Sequence, residues 1–367
     1  MAKTDLRAGA ENLLLNCGGL QKGDHLLVLR EAPDQGYYDD AIVQAVVDCA
    51  RDLKIETTVQ IAPFDATSCD PSPELLEAMR RATRTLFLSR KGDQIRFNPD
   101  MEGIRPIMSY ALDAEMLASG FGRASYSGFV ALKNAVNAAF ATAHEIRVTC
   151  PLGTNFQGPG AAYPQSGADV CVDRFPMSVF APVPSQGFSG VIVQDGFLVG
   201  TGSQFYAPYS CKLALPLEVH FENGTMTEFR GDEGDVQRAR MHYEQVGEMF
   251  SLDPFTVHSW HAGIHPGCSY RLPASANFER WSGGAFGNPR ILHIHTCGHY
   301  APGEISLNVL DPTIRLDGVA LWEDGVFYTD RLEGGAQILA DHPCMREVFE
   351  NPARDVGQSA FGRLAAE

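Results

Sequence analysis

The segment of residues 25–61, HLLVLREAPDQGYYDDAIVQAVVDCARDLKIETTVQI, decides the fold class of the N-terminal half. Residues 26–29 form an apolar run, and residues 55–61 are rich in β-branched side chains, so both ends are typical of strands. Between them, apolar residues such as Ile42 and Val46 recur at helical spacing within residues 37–53. The segment therefore predicts a strand–helix–strand unit, the connection that parallel strands require.

The same alternation continues on the C-terminal side of this segment. The pattern predicts helices over residues 71–82, with Ser72 as the N-terminal cap, and 129–143, and strands over residues 85–88 and 146–149. Strands that alternate with helices are typical of a parallel sheet covered by helices on its faces. We therefore predict an N-terminal parallel α/β domain over residues 1–155.

The second half has a different pattern, in which strands follow one another with short turns. Asn223-Gly224 and Asp317-Gly318 are hairpin signals between apolar runs, and residues 235–250 have helical spacing. This pattern predicts an α+β domain with a mainly antiparallel sheet over residues 156–367. The glycine-rich stretch that precedes it lacks the lysine of a phosphate-binding loop, so we interpret Gly153 to Gly167 as the domain boundary.

The composition of the chain argues against several classes of function. The formal net charge of −16 argues against nucleic acid and anionic membranes as partners. There is no apolar run of about 20 residues and no N-terminal signal-peptide pattern, so we expect a cytoplasmic protein with no membrane partner. The nine cysteines contain no Cys-x-x-Cys pair, which favours reduced thiols. The chain also lacks the motifs of nicotinamide-binding domains and serine hydrolases.

The histidines carry the strongest functional signal. Six of the eleven lie in one stretch, which Glu304 follows: His258, His261, His265, His293, His295 and His299. Histidine is the commonest side-chain metal ligand, so the cluster predicts a metal site. We interpret the remaining histidines as ordinary surface or core residues: His25, His144, His220, His242 and His342.

Strand geometry indicates how such a site is built. In an apolar strand, His293 and His295 point to the same face, and Glu304 and Ser306 share a face of the next strand. Two adjacent strands would thus present histidine and glutamate to one pocket. Because glycine and proline follow His261 closely, we expect the first histidines of the cluster on a helix end or loop. Two histidines with one carboxylate suit non-haem iron, and a similar set suits catalytic zinc.

Three segments resemble a known group of proteins: the Ile146–Thr149 strand with its glycine loop, Asp253–Pro266, and Pro312–Gly318. In these segments the chain resembles the 2,5-dihydroxypyridine 5,6-dioxygenases and, more distantly, the thermophilic aminopeptidases of the aminopeptidase T family, whose fold they share. The resemblance implies this two-domain fold, a metal-dependent activity and a homo-oligomer.

The resemblance also implies site residues. It places one metal ligand at His261 and a second within Leu292–Gly298, at His293, His295 or Thr296. The family's third element, a His-x-Asp pair, matches Glu304-Ile305-Ser306, so a ligand set of His261, His295 or His293, and Glu304 is implied. At two positions where the dioxygenases have histidine, the chain has arginine. Since a guanidinium suits a carboxylate, Arg90 and Arg174 are expected to bind an acidic substrate.

Three hypotheses follow. In the first, Fe(II) held by these ligands lets O₂ open a hydroxylated, acidic aromatic or N-heteroaromatic ring. His258, His265 and His299 then move protons, and Trp260 and Tyr300 line the ring pocket. In the second, Zn²⁺ or Mn²⁺ activates water in a hydrolase acting on an amide or amine. In the third, the chain is a metal-free binding protein of the same fold, with the two arginines holding an acidic ligand.

Overall fold

The structure, a computed structural model, describes residues 3–67, 70–96, 98, 101, 103–104, 106–160, 170–359 and 363–364. The chain forms two compact units. The N-terminal unit comprises Met1–Val130, Ser166–Ser178 and His342–Pro352, and the C-terminal unit comprises Ala131–Gln165, Val179–Asp341 and Ala353–Glu367. Because each unit draws on separate parts of the chain, the two contiguous segments 1–155 and 156–367 expected from the sequence do not describe them.

The α-helices are α1 (Lys3–Glu11), α2 (Asp40–Asp52), α3 (Pro73–Arg81), α4 (Lys91–Ile95), α5 (Ala114–Ala118), α6 (Gly120–Arg123), α7 (Tyr126–Thr142), α8 (Glu233–Phe250), α9 (Phe278–Ala285), α10 (Gly335–Asp341) and α11 (Arg346–Glu350). The strands up to α8 are β1 (His25–Arg30), β2 (Glu56–Ile61), β3 (Arg84–Leu88), β4 (Ile107–Ser109), β5 (Ile146–Thr149), β6 (Asn155–Gly158), β7 (Asp173–Phe175), β8 (Val183–Pro184), β9 (Ser189–Gln194), β10 (Phe197–Val199), β11 (Ser210–Lys212), β12 (Leu217–Glu222) and β13 (Thr225–Arg230). The later strands are β14 (Val257–Ala262), β15 (Ile291–Cys297), β16 (Glu304–Leu310), β17 (Thr313–Leu316), β18 (Val319–Glu323) and β19 (Val326–Phe327).

The N-terminal unit contains a parallel sheet with the strand order β2-β1-β3-β4-β7. The apolar run of β1 serves both faces of this sheet. Leu26 and Val28 belong to one buried cluster with residues of α1 and α2, whereas Leu27 and Leu29 belong to another with residues of α3. A strand that is buried on both sides is apolar throughout, which is why its sequence shows no alternation. The predicted parallel α/β architecture is confirmed.

The predicted N-terminal cap of a helix in this unit is also found in the structure. The hydroxyl of Ser72 accepts a hydrogen bond from the Leu75 N–H at 3.2 Å, and Pro73 occupies the first turn of α3. A side-chain oxygen at this position satisfies one of the N–H groups that a helix start leaves without an intrahelical partner. The predicted cap of α3 is therefore present.

The C-terminal unit contains two antiparallel sheets, with orders β11-β10-β16-β15-β14-β8 and β13-β12-β9-β6-β5-β17-β18-β19. Aromatic side chains from both sheets pack together in its core. The Trp260 ring of β14 lies 5.7 Å from the Phe156 ring of β6 and 5.8 Å from that of Phe188, and Trp322 of β18 lies 5.5 Å from Phe180. This unit has the antiparallel α+β character that the sequence predicts.

One strand lies in a different sheet from the one expected. We predicted that residues 146–149 would close the parallel domain, but β5 pairs antiparallel with β6 and β17 in the eight-stranded sheet. The turn between β5 and β6 explains the difference, since Gly153 has φ +108° and its N–H donates to the Cys150 carbonyl at 3.1 Å. Part of the expected linker is thus a hairpin, and residues 161–167 of that stretch lie outside the described residues.

Two expectations from composition can be compared directly with the described residues. None of their helices has both the length and the apolar character needed to cross a membrane. The eight cysteines among them are free thiols, as the scattered spacing predicts.

Candidate metal centre

Three histidines of the predicted cluster converge on one face of the six-stranded sheet. His261 lies on β14 and pairs with His293 on the adjacent strand β15, and His295 follows two residues later on the same face. One ring nitrogen from each lies within 4.8 Å of the others. Antiparallel pairing brings the rings together, because directly opposed residues on adjacent strands have closely spaced side chains.

The ring nitrogens that face one another are the Nε2 atoms. The Nε2 atom of His261 lies 2.5 Å from that of His293 and 3.3 Å from that of His295. The Nδ1 atom of His261 lies 2.9 Å from the Phe180 carbonyl oxygen, which can only accept a hydrogen bond. His261 is therefore protonated at Nδ1, and the lone pair of its neutral ring is at Nε2, directed at the other two rings.

This donor set fits a first-row divalent metal ion. Two nitrogens that each lie about 2.1 Å from a tetrahedral metal are about 3.4 Å apart, which is close to the 3.3 Å between the His261 and His295 nitrogens. The Nε2 atoms of His261 and His293 lie 2.5 Å apart, so the ring nitrogens of all three histidines are directed at a common point. Imidazole ligands suit zinc, copper, iron and nickel.

The neighbours of the three rings hold them in position. The Phe286 ring stacks on His293 with a centroid distance of 4.2 Å, and the Ser259 hydroxyl lies 3.4 Å from Nδ1 of His295. His261 and His293 are buried, whereas His295 is half-buried. A ligand ring whose second nitrogen is hydrogen bonded keeps its orientation and tautomer. Phe180, Ser259 and Phe286 were missed in the sequence. The pairing of β14 with β15 identifies Ser259 as a neighbour of His295, whereas Phe180 and Phe286 lie outside these strands.

Glu304 does not belong to this group. It shares a face of β16 with Ser306, as predicted, but it pairs with Cys297, whereas His295 pairs with Ser306. Among the described residues, the ligand atoms within 4.8 Å of one another come from histidines alone. The atoms that meet this distance therefore belong to His261, His293 and His295, and a role of Glu304 as a ligand stays a prediction.

Three further histidines were expected to act in catalysis, and the structure brings none of them into the group. His258 is the extra residue of an irregularity in the β14–β15 ladder, and its Nε2 lies 2.8 Å from the Cys297 carbonyl oxygen. His299 stacks on His258 at 5.4 Å, and burial, followed by the charge of His258, lowers the pKa of His299. His265 is fully buried, and its Nδ1 accepts a hydrogen bond from the Gly267 N–H at 3.2 Å.

The two residues expected to line a ring pocket, Trp260 and Tyr300, lie in different surroundings. Trp260 lies between Ser259 and His261 on β14, so its side chain points to the opposite face and packs in the aromatic core. Tyr300 is 46% exposed and its ring lies 5.5 Å from that of His299. The first histidines of the cluster were expected on a helix end or loop, but they lie on β14 because this strand continues to Ala262 before the glycine.

The two arginines expected to bind an acidic substrate belong to the N-terminal unit. The guanidinium of Arg90 donates to both carboxylate oxygens of Glu31, at 2.9 and 3.2 Å, and lies over the rings of Tyr37 and Phe64. Its charge is therefore already paired. Arg174 lies on β7 and is buried. A role of either residue in substrate binding stays a prediction.

Comparisons with known proteins identify solved structures that have a similar fold. No family model and no curated protein matches the chain. Among solved structures, the chain is similar to 2,5-dihydroxypyridine dioxygenase from Pseudomonas putida KT2440, with 16% identity, a TM-score of 0.63, and coverage of 89% of this chain and 98% of that one. It is also similar to AmpT (aminopeptidase T) from Thermus thermophilus, with 13% identity, a TM-score of 0.50, and coverage of 89% and 99%. The chain therefore has the fold shared by these two enzymes, as its sequence resemblance predicts.

Proposed function

We propose that the chain is a metal-dependent oxygenase that uses O₂ to open a hydroxylated, acidic aromatic or N-heteroaromatic ring. The observation that carries the proposal is the convergence of three Nε2 atoms on one face of the sheet. Three ligands on one side of an ion leave positions on its other side for substrate and O₂. The proposed metal is Fe(II), with zinc or manganese as the alternatives.

The residues of the site prepare it for this chemistry. The Phe180 carbonyl fixes the tautomer of His261, and Phe286 fixes the ring plane of His293. Because all three donors are neutral, a bound divalent ion keeps its full charge, so the open positions favour an anionic oxygen such as a deprotonated ring hydroxyl. Bound Fe(II) supplies the redox chemistry that joins O₂ to an electron-rich ring.

Oxygen uptake tests the proposal directly. Protein loaded anaerobically with Fe(II) is mixed with hydroxypyridines and hydroxybenzoates, and O₂ consumption is recorded together with the mass of the product. We expect substrate-dependent uptake and a ring-opened product that contains both oxygen atoms, with uptake lost in His295→Ala. The control is His220→Ala, which changes an unrelated histidine paired with Glu218 on β12. No uptake with any such compound, despite bound iron, would contradict the proposal.

A metal-dependent hydrolase is the second candidate, and the donor set itself favours it. Three histidines and an open position also hold catalytic zinc, which lowers the pKa of its bound water to about 7. In this case the purified protein would contain zinc or manganese, consume no O₂ and cleave an amide. Glu304 lies outside the histidine group, so the proposal gives it no part as a ligand.

We further propose that the chain acts as a homo-oligomer. Sedimentation velocity measures the mass in solution, and a species of about 40 kDa, the mass of one chain, over the whole concentration range would contradict this part of the proposal.

A further inference from the structure

A cavity of about 790 Å³ lies in the C-terminal unit, and none of the three histidines of the metal group lines it. Its wall includes residues that follow β9, residues of β11 and α8, and residues near the C-terminus. This volume is within the range of cavities that bind small organic molecules, about 300–1,000 Å³. The residues that determine its chemistry are Asp195, Lys212, Leu213, Arg238, His242 and Arg363.

Cations outnumber carboxylates in this wall, although the chain as a whole is acidic. Arg238 is held by Asp235, a buried carboxylate that also accepts the N–H groups of Ala214 and Leu215 at 3.0 and 2.9 Å. Because Asp235 has these partners in addition, it stays ionised and fixes the guanidinium at the cavity.

A second carboxylate positions another guanidinium. Asp195 is buried and accepts a hydrogen bond from Nε of Arg363 at 2.8 Å. The ammonium group of Lys212, in contrast, has no side-chain partner in the part of the chain that the structure describes. The wall thus presents an excess of positive charge, which favours an anionic ligand.

The cavity also contains a buried polar atom. His242 is 4% exposed, and its Nε2 has no hydrogen-bond partner among the described residues. Burial lowers the pKa of His242 to about 4, so the ring is neutral near pH 7 and Nε2 can donate or accept according to its tautomer. A buried polar atom without a partner is costly, and a ligand group that bonds to it removes this cost.

We propose that this cavity binds a small organic anion with an apolar body and a hydroxyl group. Its carboxylate lies between Lys212 and Arg238, and its body packs on Leu213, which is buried. Its hydroxyl group hydrogen bonds to Nε2 of His242. The site is separate from the metal centre and does not depend on the reaction proposed there.

Calorimetric titration with two probes tests the proposal. The probes are 4-hydroxybenzoate and benzoate, which differ only in the hydroxyl group. We expect wild-type protein to bind both, with the hydroxylated probe about tenfold tighter, because one hydrogen bond separates them. Lys212→Met is expected to weaken both probes about fivefold or more, because it removes a charge from the site. In His242→Phe the preference for the hydroxylated probe is expected to disappear.

The matched control is Arg240→Met, which removes a positive charge from the same helix. Arg240 lies over the rings of Phe229 and Phe255 and does not line the cavity, so affinity should stay within about twofold of wild type. The thermal midpoint of each variant shows that it is folded. Absence of saturable binding to wild type, or binding that Lys212→Met leaves unchanged and His261→Ala abolishes, would overturn the proposal.

Discussion

His261 has a different task for each ring nitrogen. Its Nδ1 donates to the Phe180 carbonyl, and its Nε2 faces the other two histidines. The carbonyl therefore selects the tautomer whose lone pair is available for a metal ion. The adjacent Trp260 has no such role, since it points to the opposite face of the same strand. Neighbours in sequence thus serve function and stability separately.

Truncation of Trp260 should separate these two roles. Trp260 is 1% exposed, so Trp260→Ala is expected to lower the free energy of unfolding by about 3–5 kcal/mol. Metal content should not change under conditions where the variant is folded. Urea unfolding followed by circular dichroism measures the first effect, with the exposed Tyr300→Ala as a control that changes stability by about 0.5 kcal/mol or less. A folded Trp260→Ala protein that has lost its metal would contradict the assignment of Trp260 to the core.

The buried His242 predicts a specific pH dependence of stability. Its pKa is about 4 in the folded protein and about 6.5 when unfolded. As the pH falls from 6.5 towards 4, the unfolded chain binds a proton that the folded chain does not, so stability decreases over this window. Between pH 7 and pH 5 this site should cost about 2 kcal/mol. Unfolding of wild type and His242→Phe at both pH values isolates the effect, and an equal loss in both proteins would contradict it.

At the scale of elements, successive side chains of β15 point alternately to the three-histidine group and to the core. His293 and His295 point to one face, and Ile294, which is 1% exposed, points to the other. The irregularity in the β14–β15 ladder has a similar effect, because it takes His258 out of the regular pairing that His261 keeps. Strand geometry therefore brings three of the six clustered histidines together.

Alanine substitutions at three consecutive positions test this alternation. His293→Ala and His295→Ala are each expected to abolish stoichiometric metal binding, because each removes one of three ligands. Ile294→Ala should keep the metal but lower the free energy of unfolding by about 2–5 kcal/mol. Metal content and urea unfolding measured on the same preparations distinguish the two patterns. Metal loss in Ile294→Ala with both histidine variants still loaded would show that the strand faces the other way.

For the molecule as a whole, local sequence patterns predict where helices and strands lie better than they predict which strands pair with each other. The apolar run of β1 and the cap of α3 are local, so the parallel α/β architecture could be predicted. The sheet that β5 joins depends on pairing with β17, more than 160 residues away in sequence. Such long-range pairing leaves no periodic signal within either strand.

The candidate site, too, could be predicted only as far as local sequence patterns allow. The density of histidines pointed to a metal, and the two-residue period placed His293 and His295 on one face. Glu304 was expected beside them because two adjacent strands can present their side chains on one face of the sheet to the same pocket. Only the register between the strands shows that Ser306, not Glu304, is opposite His295. Register depends on the whole sheet, so the sequence could not show which residue of β16 lies opposite His295.

Metal analysis tests most directly whether His261, His293 and His295 hold a metal ion. Wild type, His261→Ala and His258→Ala are purified without chelator or a nickel column, loaded anaerobically with Fe(II), desalted and examined by elemental analysis. We expect about one metal ion per chain in wild type and in His258→Ala, and none above background in His261→Ala, because His258 lies outside the group. No metal in wild type, or equal metal in His261→Ala, would contradict the account.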